Sequence, residues 1–222
     1  MLLFAHRGYH AQHPENTLAA FAAARDRRVD GIETDVRLSR DGQALLIHDR
    51  LLRVRGAGQP VPVAELTRQE TEQALAHEVP ALADALDAFP DLVWNVEIKT
   101  ADVLAESVHI LKQYRGRVRL LVSSFRHDVV ARCAELLNVD CALLVAHRPL
   151  DLASITTGSA LGQRVRSIVW DYNVVDEAMV WEARAAGWAS YVYGAETDSE
   201  HAHCARLELQ GLITDFPERV PR

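Results

Sequence analysis

The sequence is poor in the features that mark several large classes of protein. It has three cysteines, Cys133, Cys141 and Cys204, and none of them forms a Cys-x-x-Cys pair, so a disulfide framework is not expected. It has no apolar run long enough to cross a bilayer, and the opening LLFA is too short for the apolar region of a secretory leader. We therefore expect a cytoplasmic protein with buried, reduced thiols and no stable membrane association.

The chain also lacks an excess of basic residues. It has 24 Lys and Arg against 31 Asp and Glu, a formal net charge of -7, which argues against a nucleic-acid partner. A small anionic substrate is still compatible with this charge, because a bound metal can reverse the local field. A chain of 222 residues suits one α/β domain, here residues 1–222, while the oligomeric state stays open.

Short apolar runs alternate regularly with longer amphipathic stretches, which is typical of parallel βαβ units. Strands are predicted at residues 2–6, 31–38, 92–99, 119–125, 141–146, 167–172, 189–195 and 211–215. Helices are predicted at residues 16–28, 78–89, 102–114, 127–137, 151–162, 176–187 and 199–210. Eight such strands predict an α/β fold of the (β/α)₈ TIM-barrel type with a very short final helix. An open doubly wound sheet is the second choice, because no GxGxxG follows the first strand.

One segment, residues 39–80, interrupts this rhythm after the second strand. It holds a further strand-like run, ALLIHD, then the loop GAGQPVPV and a helix. We expect this β-hairpin and loop excursion to form a lid or a wall of the site, because barrel enzymes carry function on the loops after their strands. Capping boxes are predicted at Thr67 with Glu70 and at Thr197 with Glu200, and Asn16 is predicted to cap the first helix.

Two strand segments carry polar side chains on one face. In GIETDVRL, Glu33 and Asp35 are two residues apart and share a face. In VWNVEIK, Asn95, Glu97 and Lys99 form a polar face opposite an apolar one. Clustered buried carboxylates require a raised pKa or a cation, and an all-oxygen set favours Mg²⁺, Ca²⁺ or Mn²⁺ over zinc. The alternative is an exposed edge with a Glu97–Lys99 pair, but two polar faces on neighbouring strands favour the metal.

The dipeptide Asp41-Gly42 predicts a two-residue hairpin turn after the second strand. This turn would place Val36 opposite Ile47 and Asp35 opposite His48, and opposed residues share a face. We therefore expect the hairpin to deliver His48 beside the carboxylates.

The opening MLLFAHRG places a histidine at the end of the first predicted strand. Adjacent strand residues point to opposite faces, so the strand is expected to end at or near His6, with Arg7 already in the loop. Gly8 would let the backbone turn and approach a phosphate closely. His6 and His48 together suit general acid–base chemistry, because imidazole titrates near neutral pH.

The ordered set of motifs resembles the glycerophosphodiester phosphodiesterase family over nearly the whole chain. The motifs are HRG (6–8), PENT (14–17), ExD (33 and 35), HD (48–49), VPALADAL (79–86), EIK (97–99), SSF (123–125) and ITDFP (213–217). Each motif alone is weak, but the complete set in this order is specific.

The resemblance implies a barrel enzyme that cleaves glycerophosphodiesters to glycerol 3-phosphate and an alcohol with one divalent cation, Mg²⁺ or Ca²⁺, or Mn²⁺. Seven positions inherit roles from the family motifs. The resemblance assigns metal binding to Glu33, Asp35 and Glu97, acid–base catalysis to His6 and His48, and phosphate binding to Arg7 and Lys99. Either histidine could be the acid, and the attacking group could be water or the substrate's own hydroxyl.

The chain departs from the family at the end of the seventh predicted strand. The family often has a Trp-Thr-x-Asn-like pattern there, whereas this chain reads Tyr193-Gly194-Ala195-Glu196. An added Glu near an anionic substrate is unexpected, so Glu196 is expected to point away from the site. The alcohol group stays open among choline, ethanolamine, inositol and glycerol. Two alternatives remain: a phospholipase D-like lipid phosphodiesterase, and a non-catalytic phosphodiester-binding module.

Overall fold

Eight parallel strands close into a barrel in the computed structural model, which describes residues 1–156 and 165–221. The strands of the described residues are β1 (Leu2–His6), β2 (Gly31–Leu38), β3 (Ala44–Leu46), β4 (Leu51–Leu52), β5 (Val61–Pro62), β6 (Val93–Ile98), β7 (Arg119–Ser124), β8 (Asp140–Val145), β9 (Val165–Asp171), β10 (Ala189–Tyr193) and β11 (Gly211–Thr214), and the short strands β3, β4 and β5 lie outside the barrel. The barrel runs in the order β1, β2, β6 to β11, and pairing of β1 with β11 closes it. The predicted fold is confirmed.

Helices connect the strands on the outside of the barrel. They are α1 (Leu18–Asp26), α2 (Arg68–Leu75), α3 (Leu82–Ala88), α4 (Leu104–Tyr114), α5 (His127–Leu136), α6 (Ala153–Thr156), α7 (Glu177–Ala185) and α8 (Asp198–Arg206). The predicted very short final helix is a 3₁₀ turn, Pro217–Arg219. The helix predicted at 151–162 coincides in part with α6, and its portion from residue 157 lies outside the described residues. No helix in the described part of the chain is long and apolar enough to cross a membrane.

Two of the three predicted helix caps are confirmed. Thr67 with Glu70 and Thr197 with Glu200 form the predicted capping boxes. The prediction for Asn16 is wrong, because Thr17 is the N-cap of α1 and its hydroxyl accepts from the Ala20 amide. Asn16 has a left-handed backbone, with φ 57, and this conformation turns its side chain toward the barrel instead.

The β2–β3 hairpin has a different register from the predicted one. Val36 pairs with Leu46, not with Ile47, so the prediction is wrong by one residue. The loop has three residues, not two: it is closed by the Ser39 amide donating to the Gln43 carbonyl at 3.0 Å. The Asp41 carboxylate stabilises this longer loop by accepting from the side chains of Ser39 and Gln43 at 2.6 and 2.9 Å. Gly42 takes the left-handed position, with φ 77.

Side chains that point outward and inward from the barrel strands form separate apolar layers. Outward residues such as Ile32, Val36 and Trp94 pack in the larger core against the helices. Inward residues such as Phe4 and Val93 fill the lower part of the barrel, toward the strand N-termini. The same inward-facing rows become polar toward the strand C-termini, and that change creates the site.

Candidate active site

Three inward carboxylates from two neighbouring strands form the centre of the site. Strand pairing places Glu33 beside Asn95 and Asp35 beside Glu97. All three carboxylates are buried, and each offers an oxygen that lies within 4.8 Å of the others. The parity argument from the sequence is therefore confirmed: Glu33, Asp35 and Glu97 meet on one face of the sheet.

Two cationic side chains neutralise part of this negative charge. Lys99 Nζ lies 2.8 Å from Asp35 Oδ1 and 2.7 Å from Glu97 Oε1. Arg7 Nε lies 3.0 Å from Asp35 Oδ2, and Arg7 Nη1 donates to Glu15 at 2.9 Å. Burial alone would raise the pKa of Asp35, but Lys99 and Arg7 outweigh it and lower that pKa. Asp35 is therefore held ionised by the two cations.

Glu33 is in a different electrostatic position from Asp35. Burial, and then the charges of Asp35 and Glu97, raise the pKa of Glu33 well above its ordinary value. His6 lies next to Glu33 at the end of β1, with its Nε2 3.7 Å from Glu33 Oε2. Three buried carboxylates thus face two partly buried cations, Arg7 and Lys99. An oxygen-only donor set with more carboxylates than cations fits a hard divalent cation.

His6 lies at the end of β1 beside the carboxylates and is held by a group from the last strand region. Its Nδ1 is 2.6 Å from Asp215 Oδ1. A second imidazole, His10, contacts the same oxygen through Nε2 at 2.9 Å. This hydrogen bond is the largest cause of a raised pKa at His10. Asp215 therefore engages two imidazoles at the mouth of the barrel.

His48 also reaches the cavity, although not through the predicted pairing. Regular pairing of β3 ends at Leu46, and the Ile47 amide donates to the Asp35 carbonyl at 3.0 Å. Arg37 Nε then donates to the His48 carbonyl at 2.8 Å, which fixes the chain as it leaves the strand. Burial lowers the pKa of His48, so the neutral imidazole is favoured near pH 7.

The first loop takes the shape expected at both Arg7 and Gly8. β1 ends at His6 and Arg7 already lies in the loop, as the strand-parity argument predicts, and the Arg7 backbone is left-handed, with φ 54. Gly8 has φ 80, and a Cβ placed there would lie 2.8 Å from the backbone and side chain of Ala20. The glycine is therefore required by the close packing on α1, and the approach of Gly8 to a phosphate stays a prediction.

Asn16 joins this loop to the carboxylates. Its Nδ2 donates to Asp35 Oδ2 at 2.9 Å, and its Oδ1 accepts from the Thr34 hydroxyl at 2.7 Å. Its backbone amide donates to the Arg7 carbonyl at 3.0 Å. Asn16 thus fixes one oxygen of Asp35 and closes the loop that carries Arg7.

Two of the carboxylates, Glu33 and Glu97, line one cavity of about 190 Å³ together with both cations, His6 and His48, and the opposite side of this cavity is apolar. The apolar wall consists of Phe125, Leu144, Tyr193 and Ile213. Phe125 and Tyr193 meet edge to face with ring centroids 6.1 Å apart. Burial, and then the charge of Asp171, raise the pKa of the Tyr193 hydroxyl. Glu196 is exposed and is not among the residues that line this cavity, as expected.

All seven residues singled out from the sequence lie at this mouth, and four further polar residues join them. These are His10, Asn16, Asn95 and Asp215. Asn16 and Asp215 stand inside the motifs PENT and ITDFP, and Asn95 on the polar face of β6, so signals existed for these three. His10 carries no comparable local signal.

A barrel whose mouth combines buried carboxylates, an arginine, a lysine and two imidazoles defines a hydrolase-like site for an anionic substrate. A model of the glycerophosphoryl diester phosphodiesterase family matches residues 6–219. The chain belongs to this family of enzymes, which hydrolyse glycerophosphodiesters.

Individual relatives match over almost their whole length. The uncharacterized protein YqiK of Bacillus subtilis is 35% identical over 235 residues, covering 98% of this chain and 96% of its own. A glycerophosphodiester phosphodiesterase of Bacillus altitudinis is 26% identical, with 98% and 96% covered. The crystal structure of a Thermotoga maritima glycerophosphodiester phosphodiesterase superposes with a TM-score of 0.78 at 25% identity, with 98% and 96% covered. A phosphodiesterase of Oleispira antarctica in complex with sn-glycerol-3-phosphate has the same fold, with a TM-score of 0.81 at 22% identity and 99% and 95% covered.

Proposed function

We propose that this protein hydrolyses glycerophosphodiesters to glycerol 3-phosphate and an alcohol, with one divalent cation and two histidines. The observation that carries the proposal is the single cavity at which Glu33, Glu97, Lys99 and both imidazoles converge, with Asp35 in contact with Lys99. The product named in the Oleispira antarctica complex supports glycerol 3-phosphate as the product here.

Glu33, Asp35 and Glu97 would hold the cation. When bound, the cation supplies positive charge against the nonbridging phosphate oxygens, which carry more charge in the transition state. Mg²⁺, Ca²⁺ and Mn²⁺ all suit an oxygen-only ligand set.

Arg7 and Lys99 would bind the phosphate. Arg7 uses Nε and Nη1 in its contacts with Asp35 and Glu15, which leaves Nη2 for a phosphate oxygen. Lys99 Nζ has three N–H groups, and the two carboxylates engage two of them. Both cations are partly buried, which strengthens their attraction for an anion relative to fully exposed cations.

His6 and His48 would move the protons. Each ring has a carboxylate at Nδ1, Asp215 for His6 and Asp49 for His48 at 3.2 Å, which leaves Nε2 for the substrate. One imidazole would deprotonate the attacking oxygen while the other protonates the leaving alkoxide. Asp215 and Asp49 would fix the orientation and the tautomer of the rings.

Asn95 would donate to the substrate. Its Oδ1 accepts from the Ser123 hydroxyl at 2.8 Å, but its buried Nδ2 has no hydrogen-bond partner in the described chain. A buried donor without a partner is costly, and an oxygen of the phosphate or of glycerol would satisfy it.

A coupled assay for released glycerol 3-phosphate tests the proposal. We expect turnover with at least one of the choline, ethanolamine, inositol and glycerol diesters, loss of that turnover with chelator, and recovery with Mg²⁺, Ca²⁺ or Mn²⁺. Full turnover in the presence of chelator would contradict the metal requirement. Binding of the diesters without any product would support the non-catalytic alternative.

A lipid phosphodiesterase is the second candidate function, and one observation favours it. Phe125 belongs to the apolar wall and is 45% exposed at the mouth, where an acyl chain could lie. The same assay therefore includes a lysophospholipid. A higher kcat/KM for the lysophospholipid than for every water-soluble diester would support this candidate.

A further inference from the structure

A second cluster of metal-binding side chains lies beside the carboxylates at the barrel mouth. It consists of His6, His10 and Asp215, and we name it the His–His–Asp cluster. Pairing of β1 with β11 matches Ala5 with Thr214, which brings His6 and Asp215 to the same height on neighbouring strands. His10 reaches them from the loop before α1. Each residue offers one ligand atom, and these atoms lie within 4.8 Å of one another.

The chemistry of the His–His–Asp cluster differs from that of the three carboxylates. Two imidazole nitrogens and one carboxylate oxygen suit Zn²⁺ and similar transition metals, whereas hard cations prefer oxygen alone. Asp215 Oδ1 lies 2.6 Å from His6 Nδ1 and 2.9 Å from His10 Nε2. Zinc bonds to nitrogen and oxygen are about 2.0–2.2 Å long, so outward movements of a few tenths of an ångström would admit the ion.

The cluster is also open enough for a metal to enter. The side chains of His6, His10 and Asp215 are 25%, 29% and 38% exposed. Three protein ligands beside solvent would leave a fourth position for water. The buried carboxylate cluster, by contrast, lies deeper in the barrel.

Occupation of this cluster would change what His6 can do. In the hydrogen-bonded form, Asp215 accepts a hydrogen bond from Nδ1–H of His6, so the lone pair of a neutral ring is on Nε2, which lies 3.7 Å from Glu33 Oε2. A metal at Nδ1 requires the lone pair on that nitrogen, so the ring proton moves to Nε2. The same neutral ring cannot bind a metal at Nδ1 and accept a proton at Nε2.

We propose that His6, His10 and Asp215 form a second metal site that binds Zn²⁺, and that zinc at this site inhibits turnover by engaging His6. The inhibition depends on the proposed function, whereas metal binding does not. The two parts are therefore tested separately.

Binding is tested with Co²⁺ in place of zinc, in excess Mg²⁺ so that the carboxylates are occupied. Tetrahedral Co²⁺ gives an intense visible absorption that six-coordinate Co²⁺ in an oxygen site does not. We expect this absorption to saturate at one Co²⁺ per protein in the wild type and in His13→Ala, which is a control from the same loop. In His10→Ala we expect at least about tenfold weaker binding, and His10→Gln provides a second variant if the first does not fold. No such absorption in the wild type, or equal binding by the His10 variants, would overturn the site.

Inhibition is tested by titrating Zn²⁺ into the glycerol 3-phosphate assay at saturating Mg²⁺. Each variant is compared with its own activity without zinc. We expect the wild type and His13→Ala to be inhibited, and His10→Ala to need at least about tenfold more zinc. Equal sensitivity of all three would overturn inhibition through this cluster. If the protein turned over no glycerophosphodiester, the proposed function would fail, while the Co²⁺ titration would still decide whether the metal site exists.

Discussion

The two sides of the cavity come from different groups of strands and have opposite character. The charged side is built from β1, β2 and β6 with the segments that follow them. It carries two imidazoles, two cations and two carboxylates, and the third carboxylate, Asp35, contacts Lys99 behind this lining. The apolar wall comes from the ends of β7, β8, β10 and β11. A phosphodiester is divided in the same way, because its phosphate is charged and its alcohol group can be largely apolar. We therefore expect substitutions on the charged side to affect the chemical step, and substitutions on the apolar wall to affect which alcohol group fits.

The largest effect is expected from removing an imidazole on the charged side. His6→Ala or His48→Ala should lower kcat by roughly 10²–10⁴-fold, because a positioned acid or base contributes about that much. His109→Ala is a suitable control, since His109 is exposed on α4 and contacts Gln113. Steady-state kinetics on a glycerophosphodiester measures the change. Near-native kcat in both site variants would contradict the assignment of the proton transfers to His6 and His48.

The second largest effect is expected on thermal stability when the divalent cation binds. The size of this stabilisation should depend on pH. The pKa of Glu33 is raised in the folded protein by burial and by its neighbouring carboxylates. Without metal, the folded state therefore binds more protons than the unfolded state, and stability falls as pH rises from the ordinary Glu pKa of 4.5 toward the raised value. A divalent cation replaces that proton, so its stabilising effect should be greater at pH 8 than at pH 5.

Thermal unfolding with and without Mg²⁺ or Ca²⁺ measures this effect. Metal at about 100 times its Kd stabilises by about 2.7 kcal/mol, which corresponds to roughly 5–10 °C for a chain of this size. Glu33→Gln should abolish most of the pH dependence, because the amide does not titrate. Equal increases in Tm at pH 5 and pH 8 in the wild type would contradict the assignment of Glu33 as a ligand.

The smallest effect is expected on the apolar wall. A choline group needs no hydrogen bonds and is attracted to aromatic rings, whereas inositol would leave its hydroxyls without partners there. Phe125→Ala should lower kcat/KM for the choline diester about two- to fivefold, which corresponds to an exposed cation–π contact of about 0.5–1 kcal/mol. The inositol diester should be nearly unaffected, and Phe125→Tyr should retain the preference. Equal losses on both substrates would show that the wall does not select the alcohol.

Most of the barrel and the centre of its site could be predicted from short-range sequence patterns. The twofold periodicity of strands places Glu33, Asp35 and Glu97 on the inner face, and this prediction required no knowledge of distant contacts. The same reasoning correctly ended β1 at His6. These successes share a cause, because each depends on residues within one strand.

The predictions that failed concern places where side-chain hydrogen bonds determine the conformation of the backbone. Two-residue turns are common at Asp-Gly, but the Asp41 carboxylate bonds to Ser39 and Gln43 and selects a longer loop. His48 reaches the cavity despite that shift because Arg37 holds its carbonyl after the strand has ended. Asn16 resembles a helix cap in sequence, but its bonds to Asp35 and Thr34 compete with capping and prevail. The contacts of Asp215 could not be predicted from its sequence neighbours, because its partners His6 and His10 are more than 200 residues away.

The contact between His6 and Asp215 has a consequence for the order in which the protein gains activity. It joins residues 209 positions apart, and it depends on the pairing of β1 with β11 that closes the barrel. Contacts between such distant residues are entropically costly and form slowly. A nascent chain on the ribosome therefore cannot complete this site until β11 has emerged. In refolding experiments, return of turnover should report barrel closure, after helices and early strands have already formed.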